Sequence, residues 1–424
     1  MYKDMKKYSL ILAALAILGA ASVSCDKVGG TKSISVSAVI SEEGIAEELP
    51  RPDSYDVTFT NTTTMQSVTV KSENGIAVAT GIIPGIYNIS AAGSAVEGSY
   101  SYYYAGSAQG VSLLKDNDNA TVTVVASKES ALILKEIYYS GCTVTKEVDG
   151  EKTENSYFRD QFYEIYNNSP ETVYVDGLCF AIQHFASYDY SIIYEYDIEN
   201  KDNYVFTQRV WQIPGDGTQY PLKPGESIVL AQWATDHKAA DLTAGQSPVD
   251  LSGAEFEFFI KAGPVWGATL TDGDAVNLEW VSDAVGSTWL TQYLTSVSGS
   301  NYLIFKPSIP VRTSEFIVPT NDTPSTNNYA IEILRSDIID AVQAISGEDA
   351  VQTIGLPSSL DAGYIWCSGT YTGESISRKV KETLADGRIV YQDTNNTSND
   401  FVLNSTPEIR RGGAKVPSWN TWIK

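Results

Sequence analysis

Paired carboxylates are the chemistry this sequence could most readily carry, and Glu136 and Glu164 are the pair its strand patterns bring forward. Two carboxyl groups held roughly 5–9 Å apart, one donating a proton and the other acting as base or nucleophile, hydrolyse glycosides. Their separation is a property of the fold, so the sequence leaves that chemistry open. Other catalytic tools are scarce. His184 and His237 alone could serve as the base of a Ser-His-Asp triad, and no Gly-x-Ser-x-Gly turn exists to present the serine. Zinc binding by imidazole would need both histidines, and their spacing does not call for it. Cys142, Cys179 and Cys367 include no C-x-x-C pair, so a zinc knuckle or redox motif is not supported. An oxidising compartment would permit a Cys142–Cys179 disulfide if their strands are neighbours; the alternative is three buried thiols. Counting Asp116 as the first position of a calcium loop puts Thr121 where glycine is needed and Ser127 where glutamate is needed, so Asp116 to Asn119 is expected to be a hairpin turn. No Gly-x-x-x-x-Gly-Lys loop cradles a phosphate. No metal or cofactor is expected.

Tyrosine is the compositional anomaly, at 26 of 424 residues, and it clusters. Tyr100, Tyr102, Tyr103 and Tyr104 form one group; Tyr188, Tyr190, Tyr194 and Tyr196 form another. Period-two members share one strand face, and an apolar ring with a polar edge suits sugars and flat ligands. Tyr102, Tyr104, Tyr188, Tyr190, Tyr194 and Tyr196 are therefore the candidate ligand-binding residues, against the simpler reading that half-buried strands favour tyrosine. With 52 acidic and 29 basic side chains, net charge −23, the chain lacks the basic footprint that nucleic acid or anionic lipid would require.

Strands must position these residues. Ile34 to Val39, Tyr55 to Thr60 and Ser67 to Val70 alternate apolar with small polar residues, Asn74-Gly75 marks a tight turn, and Ala120 to Ala126 reads as one closing strand. This spacing predicts a compact β-sandwich over residues 33–127. A polar joint, Ser127 to Ser130, leads to a second β region over residues 131–424. Within it, Ile331, Leu334, Ile338, Ala341, Val342 and Ile345 recur at helical spacing, with Ser336 as cap and Gly347 as stop, which predicts an α-helix. The fold expected is mainly β: two immunoglobulin-like sandwich units, the second carrying a long insertion, about 280–373, with one α-helix.

Several segments resemble known families. Lys3, Lys6 and Lys7 precede an uncharged apolar run, Leu10 to Ala21, too short to span a bilayer, and Ser22-Val23-Ser24-Cys25 follows. This resembles the lipobox of bacterial lipoproteins, although Ser22 stands where leucine is common. The resemblance implies a signal peptide over 1–24, acylation of Cys25, and a flexible tether over 25–32. Gly81-Ile82-Ile83-Pro84-Gly85-Ile86-Tyr87 resembles the turn and strand of prealbumin-like or carboxypeptidase-regulatory-like modules, which serve as spacers or docking units. Leu132 to Tyr139, Gln161 to Ser169, Leu222-Lys223-Pro224-Gly225 before Ile228 to Ala231, and Leu270 to Leu278 look like successive signatures of a lamin-tail domain. Leu178 replaces its usual tryptophan, and residues 280–373 interrupt its pattern. Glu136 and Glu164 fall on lamin-tail motif positions, where a structural carboxylate is the simpler account. Taken whole, the chain resembles a family of Bacteroidetes lipoproteins of unknown function.

The function expected is that of a membrane-anchored, non-catalytic binding or interaction protein of the bacterial envelope, with an accessory role beside outer-membrane nutrient uptake implied by the resemblance. A glycan or other small ligand, or an outer-membrane protein, is the partner; surface and periplasmic faces both stay open. The alternative is a carboxylate-dependent hydrolase acting on polysaccharide or peptide.

Overall fold

A computed structural model describes residues 32–423 except 98–99, 186–200, 208, 261–262, 266–267, 284–295, 318–328, 349 and 351–354. The first forty described residues already show why strands form here. In Ile34–Ser41, Ile34, Val36, Ala38 and Ile40 are buried while the residues between them face outward. That strand lies between Ile76–Ile82 and Asn119–Thr123, the latter parallel to it. A second sheet runs Ser67–Lys71, Asp56–Asn61, Gly85–Glu97, Tyr100–Leu113 and Val125–Lys128. The inward residues of both sheets, among them Val57, Phe59, Ile89, Tyr104 and Val122, form one core. Full burial of each large apolar side chain contributes roughly 1.5–3 kcal/mol, which is how short strands of small residues hold together. Asn74 and Gly75 take φ of 52° and 77°, the paired positive values of a tight hairpin turn.

The single strand expected over Ala120 to Ala126 is two. Asn119–Thr123 belongs to the first sheet and Val125–Lys128 to the second, with the buried Val124 between them donating its N–H to Ser41 O at 2.9 Å. Continuous β-propensity says nothing about which sheet a strand joins, so the crossing is invisible in the sequence.

Beyond the joint, a seven-stranded sheet runs Val276–Asn277, Phe256–Glu257, Ser227–Ala231, Phe162–Asn167, Leu132–Tyr138, Ser375–Arg378 and Phe401–Asn404. A five-stranded sheet runs Glu279–Asp283, Arg209–Gln212, Cys179–Phe185, Ser300–Phe305 and Ile338–Gln343. Leu134, Ile165 and Ile228 from the first meet Phe180, Trp211, Tyr302 and Val342 from the second in the largest core. Three of the five strands in the second sheet, Glu279–Asp283 but for its first residue, Ser300–Phe305 and Ile338–Gln343, come from the 280–373 segment, so that segment builds the sandwich rather than hanging from it. Leu178 fills part of this core where the lamin-tail pattern has tryptophan.

The helix expected over 331–345 is absent. Tyr329–Leu334 is a strand paired with Tyr204–Thr207, Ile338–Gln343 is a strand paired with Ser300–Phe305, and a three-residue 3-10 turn, Arg335–Asp337, joins them. Two alternating strands separated by three residues reproduce helical spacing by coincidence. Ile331 and Ile333, buried on either side of Glu332, reveal the true period of two, and β-branched residues favour it. Among the described residues the α-helix that does form is the single turn Thr397–Asp400, whose cap Asn396 accepts the Asn399 N–H through Oδ1 at 3.1 Å.

The C-terminal stretch, residues 405–423, lies along the seven-stranded sheet. Lys415 exchanges backbone bonds with Ser227 and Gly225, and the Trp419 and Trp422 indoles donate to Pro221 O and Ala254 O, each at 2.9 Å.

Candidate functional site

The groups best equipped for chemistry are held in internal contacts. Glu136 and Glu164 are both fully buried in neighbouring strands. Glu164 takes the Lys135 ammonium at 2.9 Å and the Arg410 backbone N–H at 3.1 Å. Glu136 takes Arg411 at 2.9 Å, Ser375 Oγ at 2.8 Å and the Glu408 N–H at 2.8 Å. Burial raises the Glu136 carboxyl above its usual range while Arg411 pulls the other way. Arg410 closes a third buried acid, Glu255, at 2.6 Å. These are structural carboxylates, satisfied by Lys135, Ser375 and the C-terminal stretch.

His237 is fully buried, with Nδ1 2.7 Å from Tyr157 Oη and Nε2 2.9 Å from Trp233 O. Burial depresses it to about 4, so it stays neutral. His184 lies on Cys179–Phe185. Cys142, Cys179 and Cys367 are free and buried, so the conceivable Cys142–Cys179 disulfide does not form. Burial pushes the Cys179 and Cys367 thiols up to about 12, far from a reactive thiolate. Asp116 to Asn119 form a turn, with the Asp118 carboxylate accepting the Leu114 and Lys115 N–H groups at 2.8 and 3.1 Å, but not the expected hairpin, since Tyr100–Leu113 and Asn119–Thr123 belong to different sheets. Among the described residues, no group of three or more His, Cys, Asp or Glu is arranged to hold a metal ion.

The tyrosine face reads differently in three dimensions. Tyr104 is wholly buried, edge-on to Tyr55 at 6.3 Å, and its hydroxyl donates to Pro50 O. It is core and cannot contact a ligand. Tyr102, on the same strand face, packs half-buried against that core. Tyr103 points to the opposite side, where its hydroxyl lies 3.4 Å from Lys381 Nζ. Period-two spacing identifies which tyrosines share a face but not which face is inside. Tyr188, Tyr190, Tyr194, Tyr196 and Cys25 lie outside the described residues.

What the geometry offers instead is a cleft between the two sandwiches. One wall is the outer face of Gly85–Glu97 and Tyr100–Leu113; the other is the loop from Gly355 to Tyr364 with the 394–399 turn. Its larger lobe is about 1030 Å³ and its smaller about 500 Å³, sharing Ser90, Ala105, Ser107 and Ser358. Ser107 Oγ and Ser358 Oγ, 2.9 Å apart, join the walls. The Asp361 carboxylate at its edge is fully buried, accepts from Thr397 N and the Thr397 hydroxyl, and is pushed up to about 6 by burial. Sequence reasoning missed these residues because neutral serines carry no catalytic signature. The period-two pair Tyr364 and Trp366, stacked at 6.0 Å and 20°, was the signal available.

Two β-sandwich cores flanking a polar cleft define a mainly β, multi-sheet protein without a recognisable catalytic constellation among its described residues. The chain belongs to the DUF4876 family, described as a protein family of unknown function, whose model matches residues 223–408. It is similar to a DUF4876 family protein of Bacteroides thetaiotaomicron known from a crystal structure, with 33% sequence identity and a TM-score of 0.59. That similarity covers 91% of this chain and 99% of the other. No curated protein matches.

Proposed function

We propose that this chain is a non-catalytic binding or interaction lipoprotein of the bacterial envelope, tethered to the outer membrane through acylated Cys25. The observation that supports this reading is the commitment of Glu136, Glu164, His237 and the three described cysteines to structural contacts. Glu136, Glu164, His237 and the three described cysteines do not line the cleft, whose lining is largely hydroxyl and amide groups. Several acyl chains, each buried CH₂ contributing roughly 0.8 kcal/mol, would hold the protein at the membrane essentially permanently. Its setting is an accessory role beside an outer-membrane nutrient-uptake system.

Metabolic labelling with tritiated palmitate tests the tether. The wild-type chain incorporates label and partitions into the detergent phase; Cys25→Ala does neither. Unchanged labelling of Cys25→Ala would overturn the anchor. Protease treatment of whole cells then separates the surface face from the periplasmic one, and release of product from polysaccharide or peptide would overturn the non-catalytic reading.

A further inference from the structure

We propose that the cleft between the two sandwiches binds a neutral, polyhydroxylated chain of the oligosaccharide class, a reading that deepens and rests on the binding function above. The floor is the first line of argument. Ser90 stands opposite Ser107 and Ala92 opposite Ala105 in adjoining strands, so short side chains keep the sheet surface low and leave room above it. Thr58 and Thr60 extend the same surface, with hydroxyls bonded at 2.8 Å to Thr69 and Ser67 across the next strand. The result is a flat sheet of hydroxyls, each able to donate and accept.

Charge is the second line. The whole chain carries −23, yet the cleft walls hold only four carboxylates, two of them ion-paired to the two cations there. Asp56 pairs with Lys71 at 2.9 Å, Arg335 with Asp202 at 3.9 Å, and Asp361 is buried against Thr397. Asp53 makes no ion pair with a described residue. Such a wall has no cationic cluster for an anion, and of its two carboxylates without an ion pair Asp53 is exposed while Asp361 is buried. It favours a ligand that brings many hydrogen-bonding groups and no charge.

Shape and aromatics are the third. Tyr364 lines the larger lobe, backed by stacked Trp366, and Tyr103 lines the smaller one. Half-buried rings of this kind present apolar faces to the C–H surfaces of a pyranose and a hydroxyl edge to its oxygens. Ser90, Ser359 and the Asn399 amide make no side-chain hydrogen bond to another described residue, leaving donors and acceptors for a ligand. The lobes fall in or near the range of about 300–1,000 Å³ that small-molecule sites occupy.

Isothermal titration of the full chain in detergent micelles decides the matter. The probes are neutral malto-, cello-, xylo- and manno-hexaose, with an oligogalacturonate and a chitosan hexamer as charged controls. At least one neutral hexasaccharide should bind saturably, and the charged chains should not. Ser90→Trp fills the floor and Tyr364→Ala removes the ring; each should weaken binding by about tenfold or more, the scale of one lost stacked contact. Both positions face the cleft, and melting curves identify any variant that fails to fold, in which case the other carries the test. Absence of binding, preference for a charged chain, or binding indifferent to both substitutions would overturn the proposal. Mass spectrometry of the titrated sugar keeps the two readings apart. Cleavage of a bound sugar overturns the non-catalytic reading and leaves the cleft assignment standing; no binding does the reverse.

Discussion

Glu136 and Glu164 stand directly opposite one another on neighbouring antiparallel strands, yet each carboxylate faces its own cation, Arg411 for the first and Lys135 for the second. Two buried acids in register would repel strongly if both stayed ionised without partners. Here each carboxylate has its own cation and backbone N–H donor inside the core, so neither is left free to meet a substrate as a hydrolytic pair would. The closeness that suggests hydrolysis in one dimension is a packing device in three.

That device makes a measurable demand on Lys135. Lys135→Met leaves Glu164 buried without its cation, and loss of one member of a buried pair costs about 3–5 kcal/mol. Lys135→Met combined with Glu164→Leu should recover most of that loss, because two apolar residues replace two desolvated charges. Urea unfolding of the single and double variants tests it; equal destabilisation of both would show that the pair is not the relevant unit.

Arg378 is a stricter case. Its guanidinium is buried against Asp340 at 2.6 Å, Asp393 at 3.1 Å and Asp400 at 3.5 Å, and it stacks over Phe401 at 4.9 Å. Burial drives the Asp340 and Asp393 carboxyls upward and Arg378 holds them down. Arg378→Met would strand three acids in the core and should abolish folding at neutral pH. Arg378→Lys keeps the charge but loses the fork, so it should fold with a clearly lowered melting temperature. Wild-type stability in Arg378→Met would refute the assignment.

Asp160 should govern stability at mildly acidic pH. It is fully buried, and loss of hydration lifts its carboxyl from 3.8 to about 6 against hydrogen bonds from Ser247, Cys142 and Tyr138. Between those values the folded chain holds a proton that the unfolded chain has released. This group's contribution to stability therefore falls as pH rises through that window and stays reduced above it. Asp160→Asn does not titrate, so its melting temperature relative to wild type should be higher at pH 8 than at pH 4. A difference that is flat or reversed across that range would sink the prediction.

The tyrosine reassignment is equally direct. Tyr104→Ala empties a wholly buried site and should cost about 3–5 kcal/mol, as large aromatic deletions do. Tyr103→Ala, on the cleft side, should cost about 1 kcal/mol or less. Melting curves of the two variants should therefore differ by several degrees, and the reverse order would restore Tyr104 to the surface.

Local pattern carried much of this architecture and none of its long-range pairings. Alternation in Ile34–Ser41 and Asp56–Asn61 names the strands and their inward residues, and Asn74-Gly75 names a turn. The same alternation misleads at 331–345, where two strands and a turn imitate a helix, and at Val124, where one apolar run serves two sheets. Tyr104 turns inward for a different reason: parity is readable, but the choice of inner face depends on the partner sheet. The cleft was least legible, because Ser90 and Ser358 meet only after two separate sandwiches have formed and docked.

The C-terminal stretch that pairs with Glu136 and Glu255 and donates a backbone N–H to Glu164 has a consequence for how the chain is made. Residues of the first sandwich lie within 34–128 and can pair as soon as that length has emerged. The second unit joins Leu132–Tyr138 to Ser375–Arg378 and places Arg410 and Arg411 against acids 155 and 275 residues earlier in the chain. Such distant contacts slow folding and leave partly assembled sheets exposed. The nascent chain thus carries three acids without their full set of partners until residues 408–411 arrive, and a chain cut before them would keep these strands while leaving their buried acids short of those partners.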